Sequence, residues 1–292
     1  MKKCLFIVNP ISGGLSKKQF LLELENFCRS EQLEYGVIET ANEGNDTRIQ
    51  SAIKSFQPQV VVACGGDGTV NLVARNLLNT DMEMAIIPLG SANGLAGDLG
   101  IPSDNQKALQ LLLSGKIRAL DVIAINEDEY CLHLSDLGFN ATIVENFNRS
   151  NLRGQLAYLL FFLKSLFTDH TRNYHFILPD QSFQKKAAMV VLANGSRYGF
   201  GAEVNPVGRP DDGHFELCVF SNYPWYAFFS VLFHFLTGQL KSSRYYEVFS
   251  TERLFIKADR PVELQVDGEP LGPFDEVNAI LLPRRVNTLV PA

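Results

Sequence analysis

Short apolar runs alternate with amphipathic stretches along the first part of the chain. Runs of strand length lie at 4–9, 35–40, 59–64, 84–89 and 118–125. Between them, apolar residues recur at helical spacing, which predicts helices over 16–30, 46–56, 70–79 and 104–114. Asp46 is the expected N-cap of the second helix. Because continuous apolar strands joined by single helices are typical of a parallel sheet with right-handed crossovers, we predict an α/β domain with an open parallel sheet.

The pattern changes after residue 126. Strand-like runs now follow one another, at 130–139, 173–179, 186–195, 214–221, 253–258, 262–270 and 277–283. Consecutive strands without intervening helices are typical of an antiparallel β-sandwich. The sequence therefore predicts an α/β domain over 1–126 and a β-sandwich domain over 127–279. Residues 280–292 form a candidate strand that returns to the first domain.

Two segments of the second half, 152–168 and 223–240, are rich in aromatic residues. If they are helical, they are apolar on most faces, which fits either burial or contact with a membrane. Trp225, with Tyr223 and Tyr226 beside a phenylalanine-rich run, has the composition of an interfacial anchor. Core packing or a dimer contact is the alternative. The sequence leaves both open: transient contact with a membrane surface, and dimer formation.

Composition narrows the function classes. The chain has 292 residues and a net charge of −6, from 26 Lys and Arg against 32 Asp and Glu. That balance has no general attraction for polyphosphate backbones, so we expect no nucleic-acid partner. The five cysteines show no C-x-x-C pair, which predicts buried thiols rather than disulfides or a zinc site. No apolar run approaches the about 20 residues of a spanning helix, and we expect a cytoplasmic protein that can bind peripherally to a membrane.

Three glycine-rich loops, at 9–14, 65–69 and 88–94, follow the first, third and fourth predicted strands. At the carboxyl end of a parallel strand, glycine lets the backbone approach a ligand, and the next helix offers N–H groups to phosphate. Asp67 is suited to order Mg²⁺ or its water shell, and Ser91 and Asn93 can donate to phosphate oxygens. Neither the Rossmann nor the Walker motif occurs. A tight turn with a capping aspartate is the alternative for the second loop.

These motifs, in this order, resemble the diacylglycerol kinase catalytic family, which includes sphingosine kinases and bacterial lipid kinases. In the first half the resemblance rests on N-P-x-S-G-G at 9–14, G-G-D-G-T-V-N at 65–71 and P-L-G-S-A-N-G-L-A at 88–96. It continues with L-G-F-N-A at 137–141, Y-G-F-G at 198–201, D-G at 212–213 and D-G-E at 267–269. The motif set covers nearly the whole chain.

The resemblance implies a lipid kinase that holds ATP in the first domain and the lipid in the second. Residues implied to line the nucleotide are Asn9, Pro10, Ser12, Gly13, Thr40, Gly65, Gly66, Asp67, Gly68, Thr69, Asn71, Ser91 and Asn93. Mg²⁺ is expected at Asp212, with the carbonyl oxygens of Arg209 and His214. Glu269 is implied to take the proton from the lipid hydroxyl, with Asp267, two residues away on the same strand face, orienting it or assisting the metal. Asp67 is the third implied catalytic residue.

The sequence leaves open which molecule accepts the phosphoryl group and whether the protein is catalytically active. A diacylglycerol-like membrane lipid is favoured, and a sphingoid long-chain base is the nearest alternative. The chain departs from the family at Leu72, where many members have glutamate, at Gly94, and at Thr142, where long-chain-base kinases have an acidic residue. A soluble acceptor, as in the NAD kinases that also carry G-G-D-G, and a non-catalytic lipid-binding module are the other two hypotheses. Taken alone, Asp267-Gly268 is also a strong hairpin-turn signal.

Overall fold

The computed structural model describes residues 2–10, 17–41, 43–138, 163, 171–198 and 202–292. Ser12 and Gly13, residues 139–141 of the L-G-F-N-A motif and most of the aromatic segment 152–168 lie outside this described part. The backbone divides into two compact units. Unit 1 combines Met1–Leu120 with Arg284–Ala292, and unit 2 is Asp121–Pro283.

Unit 1 alternates strands and helices, and it contains the first half of β5. Its elements are β1 Lys3–Val8, α1 Lys17–Ser30, β2 Glu34–Glu39, α2 Asn45–Phe56, β3 Val60–Gly65, α3 Asp67–Leu77, β4 Glu83–Pro88, α4 Gly94–Asp98, α5 Asn105–Ser114 and β5 Lys116–Ile125. The strand order β2-β1-β3-β4 is parallel throughout. Every residue of β3 is buried, as expected of a central strand in a parallel sheet. The predicted open parallel sheet is confirmed.

Helix α2 begins differently from the prediction. Its N-cap is Gly44, in the left-handed conformation at φ 71°, and no side chain caps it. Asp46 instead accepts hydrogen bonds from Arg75 Nε, at 2.8 Å, and from Asn76 Nδ2, also at 2.8 Å. The prediction that Asp46 caps α2 is wrong, because partners on α3 engage its carboxylate.

Unit 2 is built from antiparallel strands. Its elements are β6 Glu129–Cys131, β7 Leu134–Leu137, β8 Arg172–Ile177, β9 Ser182–Ala187, β10 Met189–Ala193, β11 Arg197–Tyr198, β12 Ala202–Glu203, β13 Phe215–Phe220, α6 Phe228–Leu236, β14 Tyr246–Thr251, β15 Arg253–Val266 and β16 Glu269–Val290. Strands follow the order β14-β13-β10-β7-β15-β16, and β8 pairs with β15 and β9. The antiparallel β-sandwich prediction is confirmed.

Strand β10 shows where the core of unit 2 lies. Alternate residues of a strand point to opposite faces of the sheet. Val190 and Leu192 pack into one apolar cluster, whereas Val191 and Ala193 pack into another. The second cluster also contains Val231 of α6. Apolar side chains therefore cover β10 on both faces, which explains its uninterrupted apolar sequence.

The last two strands are longer than the sequence pattern suggests. The runs at 253–258 and 262–270 belong largely to one strand, β15, whose register shifts between Lys257 and Val262. The run at 277–283 lies inside β16, which continues beyond Arg284 at φ 51°. In unit 1 the end of β16 pairs in parallel with β4, with Asn287 opposite Glu83. Across the described ranges, no helix has both the length and the apolar character required to span a bilayer.

Candidate functional site

The loop between β3 and α3 places a helix N-terminus at the edge of the unit 1 sheet. Strand β3 ends at Gly65, and Gly66 is the N-cap of α3 with extended backbone and no side-chain cap. The carbonyl oxygen of Gly66 accepts hydrogen bonds from the N–H groups of Thr69, at 2.9 Å, and Val70, at 3.1 Å. The first N–H groups of such a helix carry the positive end of its dipole and suit an anionic ligand.

A second glycine loop, between β4 and α4, packs directly against the first. The N–H of Leu89 donates to the carbonyl oxygen of Gly65 at 3.0 Å. A Cβ atom on Gly90 would lie 2.5 Å from the Cα of Gly66, so only glycine allows this approach. The carboxylate of Asp67 accepts hydrogen bonds from Gly94 N–H at 3.0 Å and Leu95 N–H at 3.2 Å. Asp67 therefore links the start of α3 to the start of α4.

The side chain of Asn93 holds the second loop closed. Its Oδ1 accepts from Gly90 N–H at 2.9 Å, and its Nδ2 donates to the Gly90 carbonyl oxygen at 2.7 Å. Asn93 itself has a left-handed backbone, with φ 49°. Ser91, in contrast, is exposed on the same loop. The phosphate-donor roles of Ser91 and Asn93 stay predictions, and the structure gives Asn93 a loop-closing role besides.

The other predicted nucleotide residues of unit 1 follow neighbouring strands. Asn9 and Thr40 come directly after β1 and β2, and their N–H groups donate to Cys64 and Val8 carbonyl oxygens at 3.0 and 2.9 Å. Because β1 to β4 are parallel, these residues and the two glycine loops lie at one edge of the sheet. Pro10 is exposed just beyond Asn9, and Thr69 and Asn71 lie on the first turns of α3, Thr69 buried and Asn71 half-buried.

In unit 2, the predicted metal residues lie on the loop before β13. Asp212 is exposed, and its Oδ1 accepts from His214 N–H at 3.1 Å. Arg209 Nε lies 4.0 Å from Asp211 Oδ1. Within the described ranges, no group of three or more His, Cys, Asp or Glu side chains is arranged to hold a metal ion. In the described ranges Asp212 is therefore an exposed carboxylate that is not part of a cluster of acidic, histidine or cysteine side chains.

Asp121 organises this loop, although the sequence patterns did not single it out as a site residue. It is fully buried, and its Oδ2 accepts from Gly213 N–H at 2.8 Å. Its own N–H donates to the Pro210 carbonyl oxygen at 2.7 Å. A single aspartate within the apolar run of β5 is the sequence signal that could have identified it, because a carboxylate is buried only when it is hydrogen-bonded.

Asp267 and Glu269 lie on opposite sides of a turn. Asp267, at φ 48°, and Gly268, at φ 91°, form the two-residue connection of the β15–β16 hairpin, with Val266 opposite Glu269. Positive φ at both positions is the type I′ geometry favoured by Asp-Gly. The expectation that Asp267 shares a strand face with Glu269 is therefore wrong. Glu269, the first residue of β16, is exposed.

The Asp267 carboxylate is buried and bound by the backbone. It accepts hydrogen bonds from the N–H groups of Leu132 at 2.9 Å, His133 at 2.9 Å and Leu134 at 3.1 Å. Asn194 Nδ2 bridges the Leu132 and Asp121 carbonyl oxygens, at 2.8 Å each. Within unit 2, a continuous polar network thus connects the Asp267 turn to the Asp121 carboxylate that holds the Asp212 loop.

Two family descriptions cover nearly all of the chain. Residues 3–125 match the diacylglycerol kinase catalytic domain, and residues 135–290 match the YegS C-terminal NAD kinase beta sandwich-like domain. This chain belongs to the family of proteins in which a diacylglycerol kinase catalytic domain is followed by a YegS C-terminal domain. The diacylglycerol kinase resemblance drawn from the motifs is confirmed.

Relatives of similar length support the assignment. A protein of Enterobacter sp. (strain 638) named "Probable lipid kinase YegS-like" is 28% identical over 98% of this chain and 95% of its own length. A Salmonella arizonae protein named "Probable lipid kinase YegS" is 25% identical over 96% of this chain and 94% of its own. A solved structure of a diacylglycerol kinase from Bacillus anthracis str. Sterne superposes with a TM-score of 0.75, at 19% identity, over 99% of this chain and 97% of that chain. At that identity it shows the shared fold.

The family departures at Leu72 and Gly94 have simple structural accounts in the catalytic domain. Leu72 is 8% exposed, so its side chain contributes to the core. Gly94 contacts Asp67 through its backbone N–H, which every residue except proline provides. Neither departure therefore disrupts the contact between the two glycine loops.

In the YegS C-terminal domain, Glu216 is a buried acid with polar partners. Asn205 Nδ2 donates to its Oε2 at 2.7 Å, and Ser250 Oγ donates to its Oε1 at 3.1 Å. Burial raises the pKa of the Glu216 carboxyl above its ordinary value, and the two hydrogen bonds offset only part of the rise. The folded state therefore holds this proton more tightly than the unfolded state does.

Glu216 should consequently make stability depend on pH. The free energy of unfolding is expected to fall as pH rises from the ordinary glutamate value through the raised folded pKa, by about 1.4 kcal/mol for each pH unit between the two pKa values. Glu216→Gln stays neutral, and its amide can accept from Asn205 Nδ2 and donate to Ser250 Oγ. It should remove this fall in urea unfolding measured between about pH 4 and pH 8. Glu263→Gln, on the exposed side of β15, is the control and should leave it unchanged. An unaltered pH profile in Glu216→Gln would contradict the assignment.

Proposed function

We propose that this protein is a lipid kinase that transfers the γ-phosphoryl group of ATP to a hydroxyl of a membrane lipid, with a diacylglycerol-like acceptor favoured over a sphingoid base. The observation that carries the proposal is the pair of glycine loops joined by Asp67 at the edge of a parallel sheet. Membership of the family and the names of its relatives point to the same activity.

The nucleotide phosphates are proposed to bind beside the N-terminus of α3. Gly66 leaves this terminus without a side-chain cap, and its backbone N–H groups and helix dipole favour negative charge. Asp67 directs its carboxylate to the Gly94 and Leu95 N–H groups, so two hydrogen bonds from the start of α4 stabilise its negative charge. The loop thereby keeps an aspartate next to a phosphate site at reduced electrostatic cost.

Mg²⁺ is proposed at the Asp212 loop. The exposed carboxylate of Asp212 and the carbonyl oxygens of Arg209 and His214 would supply the hard oxygen donors that Mg²⁺ prefers. Bound there, the ion would neutralise phosphate charge. Asp121, which holds Pro210 and Gly213, positions this loop. The role of Asp67 in ordering Mg²⁺ stays a prediction.

Glu269 is proposed as the general base. Its exposed carboxylate would accept the proton of the lipid hydroxyl, whose oxygen forms a bond to the γ-phosphorus as the bond from that phosphorus to the β–γ bridging oxygen breaks and ADP leaves. Asp267 is proposed as a positioning residue, because its carboxylate fixes the turn that presents Glu269. Phosphoryl transfer depends mainly on positioning and charge stabilisation, which suits a site built from backbone groups.

A kinase of a soluble acceptor is the second candidate. The description of the C-terminal domain as NAD kinase beta sandwich-like is the observation that favours it. A kinase of a soluble acceptor would use the same nucleotide-binding residues as the lipid kinase and would differ only in the molecule that accepts the phosphoryl group. The two are therefore separated by testing acceptors.

The deciding experiment incubates the protein with Mg²⁺ and γ-labelled ATP over a detergent-dispersed lipid extract with added diacylglycerol and sphingosine, and over NAD in parallel. We expect a labelled lipid whose mobility identifies the acceptor. Glu269→Gln should lower the rate by about 10²- to 10⁴-fold, and Asp67→Ala should abolish labelling. Glu263→Gln, a change of the same chemistry at an exposed position of β15, should label at the parental rate.

The outcomes separate the candidates. Label on a lipid that is lost in Glu269→Gln supports the proposal. Label on NAD and none on lipid overturns it in favour of the soluble acceptor. ATP binding without transfer to either acceptor overturns both and supports a non-catalytic lipid-binding module.

A further inference from the structure

A continuous row of large apolar side chains is exposed on unit 2. Trp225, Tyr226, Phe229, Phe233 and Leu236 are 81, 64, 77, 58 and 61% exposed. The first two lie on the one-turn 3₁₀ helix Trp225–Ala227, and the other three on α6, which follows it directly. Their spacing puts residues 225, 229, 233 and 236 on one side of the helical segment. We call these four residues, together with Tyr226, whose ring contacts that of Trp225, the aromatic face.

The opposite side of the same segment is fixed in the core. Ala227, Val231 and Phe235 are 3 to 6% exposed and pack in one cluster with residues of β10 and β13. Just before the segment, buried Tyr223 donates its hydroxyl to the Leu163 carbonyl oxygen at 2.8 Å. The segment therefore packs on the core through one side, and the aromatic face is its other side.

The stretch of chain that carries the aromatic face has charges of one sign. Residues 217–246 contain no aspartate or glutamate, although the chain as a whole has a net charge of −6. The same stretch holds Lys241 and Arg244, both exposed. The Arg244 guanidinium lies 4.8 Å from the centre of the Tyr245 ring, which itself contacts Tyr223. Two exposed cations thus follow the aromatic row within a stretch of chain that has no acid, although Glu203 Oε2 would lie 3.4 Å from a Cβ at Gly238.

We propose that the aromatic face docks on a phospholipid bilayer that contains anionic lipids. Trp and Tyr rings partition to the boundary between headgroups and acyl chains, Phe and Leu insert beside them, and Lys241 and Arg244 attract anionic headgroups. The inference extends the proposed function, since an acceptor dissolved in a bilayer requires the enzyme to reach that bilayer. It assigns the surface that does so.

A second copy of the chain fits this surface less well. In a two-fold symmetric dimer the same patch faces itself. Lys241 and Arg244 of both copies would then be brought together, and residues 217–246 supply no acid to compensate them. A bilayer with anionic headgroups satisfies both the apolar row and the cations.

The chain carries its own reporter for this test, because Trp225 is its single tryptophan. Full-length protein is titrated with vesicles of phosphatidylcholine, with and without about one quarter phosphatidylglycerol, while Trp fluorescence is recorded. We expect a blue shift on the mixed vesicles, quenching by lipids brominated near the headgroup end of the acyl chain, and weaker binding at high salt. An emission spectrum that does not move on either vesicle overturns the proposal.

Variants assign the binding to the residues named. Phe229→Ser combined with Phe233→Ser keeps Trp225 and should weaken vesicle partition by about tenfold or more. Lys241→Gln and Arg244→Gln should each weaken binding to anionic vesicles by about fivefold. Ile117→Ser, an exposed apolar position of unit 1, is the matched control and should bind as the parent does. Unchanged partition in the double phenylalanine variant overturns the proposal.

Two further measurements distinguish the alternatives. If light scattering shows a dimer that the phenylalanine changes dissociate while vesicle binding is unaltered, the face is a dimer contact and the proposal is overturned. The phosphorylation assay on detergent-dispersed lipid is run on the same variants, which should retain the parental rate because detergent removes the need to dock. Vesicle binding without any lipid phosphorylation would overturn the proposed function and leave the docking surface standing.

Discussion

Gly90→Ala is expected to bind ATP at least about tenfold more weakly than the parent and to lose most phosphoryl transfer, because the two glycine loops can no longer touch. The new Cβ would lie 2.5 Å from Gly66 Cα and 2.8 Å from Asn93 Oδ1. The first neighbour is backbone, so no side-chain rotation relieves the contact. Separating the loops should also weaken the hydrogen bonds from Gly94 and Leu95 to Asp67.

Gly97→Ala is the matched control for this prediction. Gly97 lies in α4, a few residues further on, and a Cβ there meets nothing within 4 Å. Alanine is favoured over glycine in a helix by up to about 1 kcal/mol. We expect nucleotide titration and the labelled-phosphate assay to show Gly97→Ala close to the parent. If Gly90→Ala binds ATP as the parent does, the close contact of the loops is not required for nucleotide binding.

Asp267→Ala is expected to lower the free energy of unfolding of unit 2 by about 3 kcal/mol or more. The change removes the shared acceptor of the Leu132, His133 and Leu134 N–H groups, and each buried donor left without a partner costs about 1–3 kcal/mol. The alanine must also adopt the left-handed backbone that Asp267 has at φ 48°. Asp267→Asn should be less damaging, since asparagine tolerates that conformation and keeps one acceptor oxygen.

Urea unfolding followed by far-ultraviolet circular dichroism measures this effect, because Trp225, at 81% exposure, would report little of the unfolding of unit 2. Glu269→Gln should unfold at the parental urea concentration, as its side chain is exposed. The two substitutions would then differ in their effects: Asp267→Ala lowers the stability, whereas Glu269→Gln lowers only the rate of phosphoryl transfer. Equal unfolding midpoints for Asp267→Ala and the parent would show that the backbone donors find other partners.

Most of the residues proposed to bind the nucleotide could be identified from the sequence. Apolar runs of strand length and helical spacing predicted the parallel sheet, and glycine loops after the strands then had to lie at one edge of it. The pattern could not show that Asp67 binds Gly94 and Leu95 or that Asn93 binds Gly90. Those contacts depend on how closely the two loops approach, which is a distance in space.

Local signals were also ambiguous where a distant partner decides the outcome. Asp46 had the position of an N-cap, yet Arg75 and Asn76 on α3 engage its carboxylate. Asp267-Gly268 fitted both an extended strand and a hairpin turn. Asp-Gly favours the turn locally, and the Asp267 carboxylate stabilises it further by accepting three N–H groups of residues 132–134, far away in the sequence.

The sequence by itself determined the fold class, the family and the residues of the glycine loops, because these follow from periodicity and from motifs read in order. Only the tertiary structure decided that Asp121, Asn194 and Asp267 form one buried network, and that one side of the 225–236 segment is core while the other is exposed. The physical reason is the same in both cases. Folding decides which neighbours surround a residue, and therefore whether a polar group has a hydrogen-bond partner or an apolar side chain is shielded from water. The order of residues along the chain does not show these neighbours.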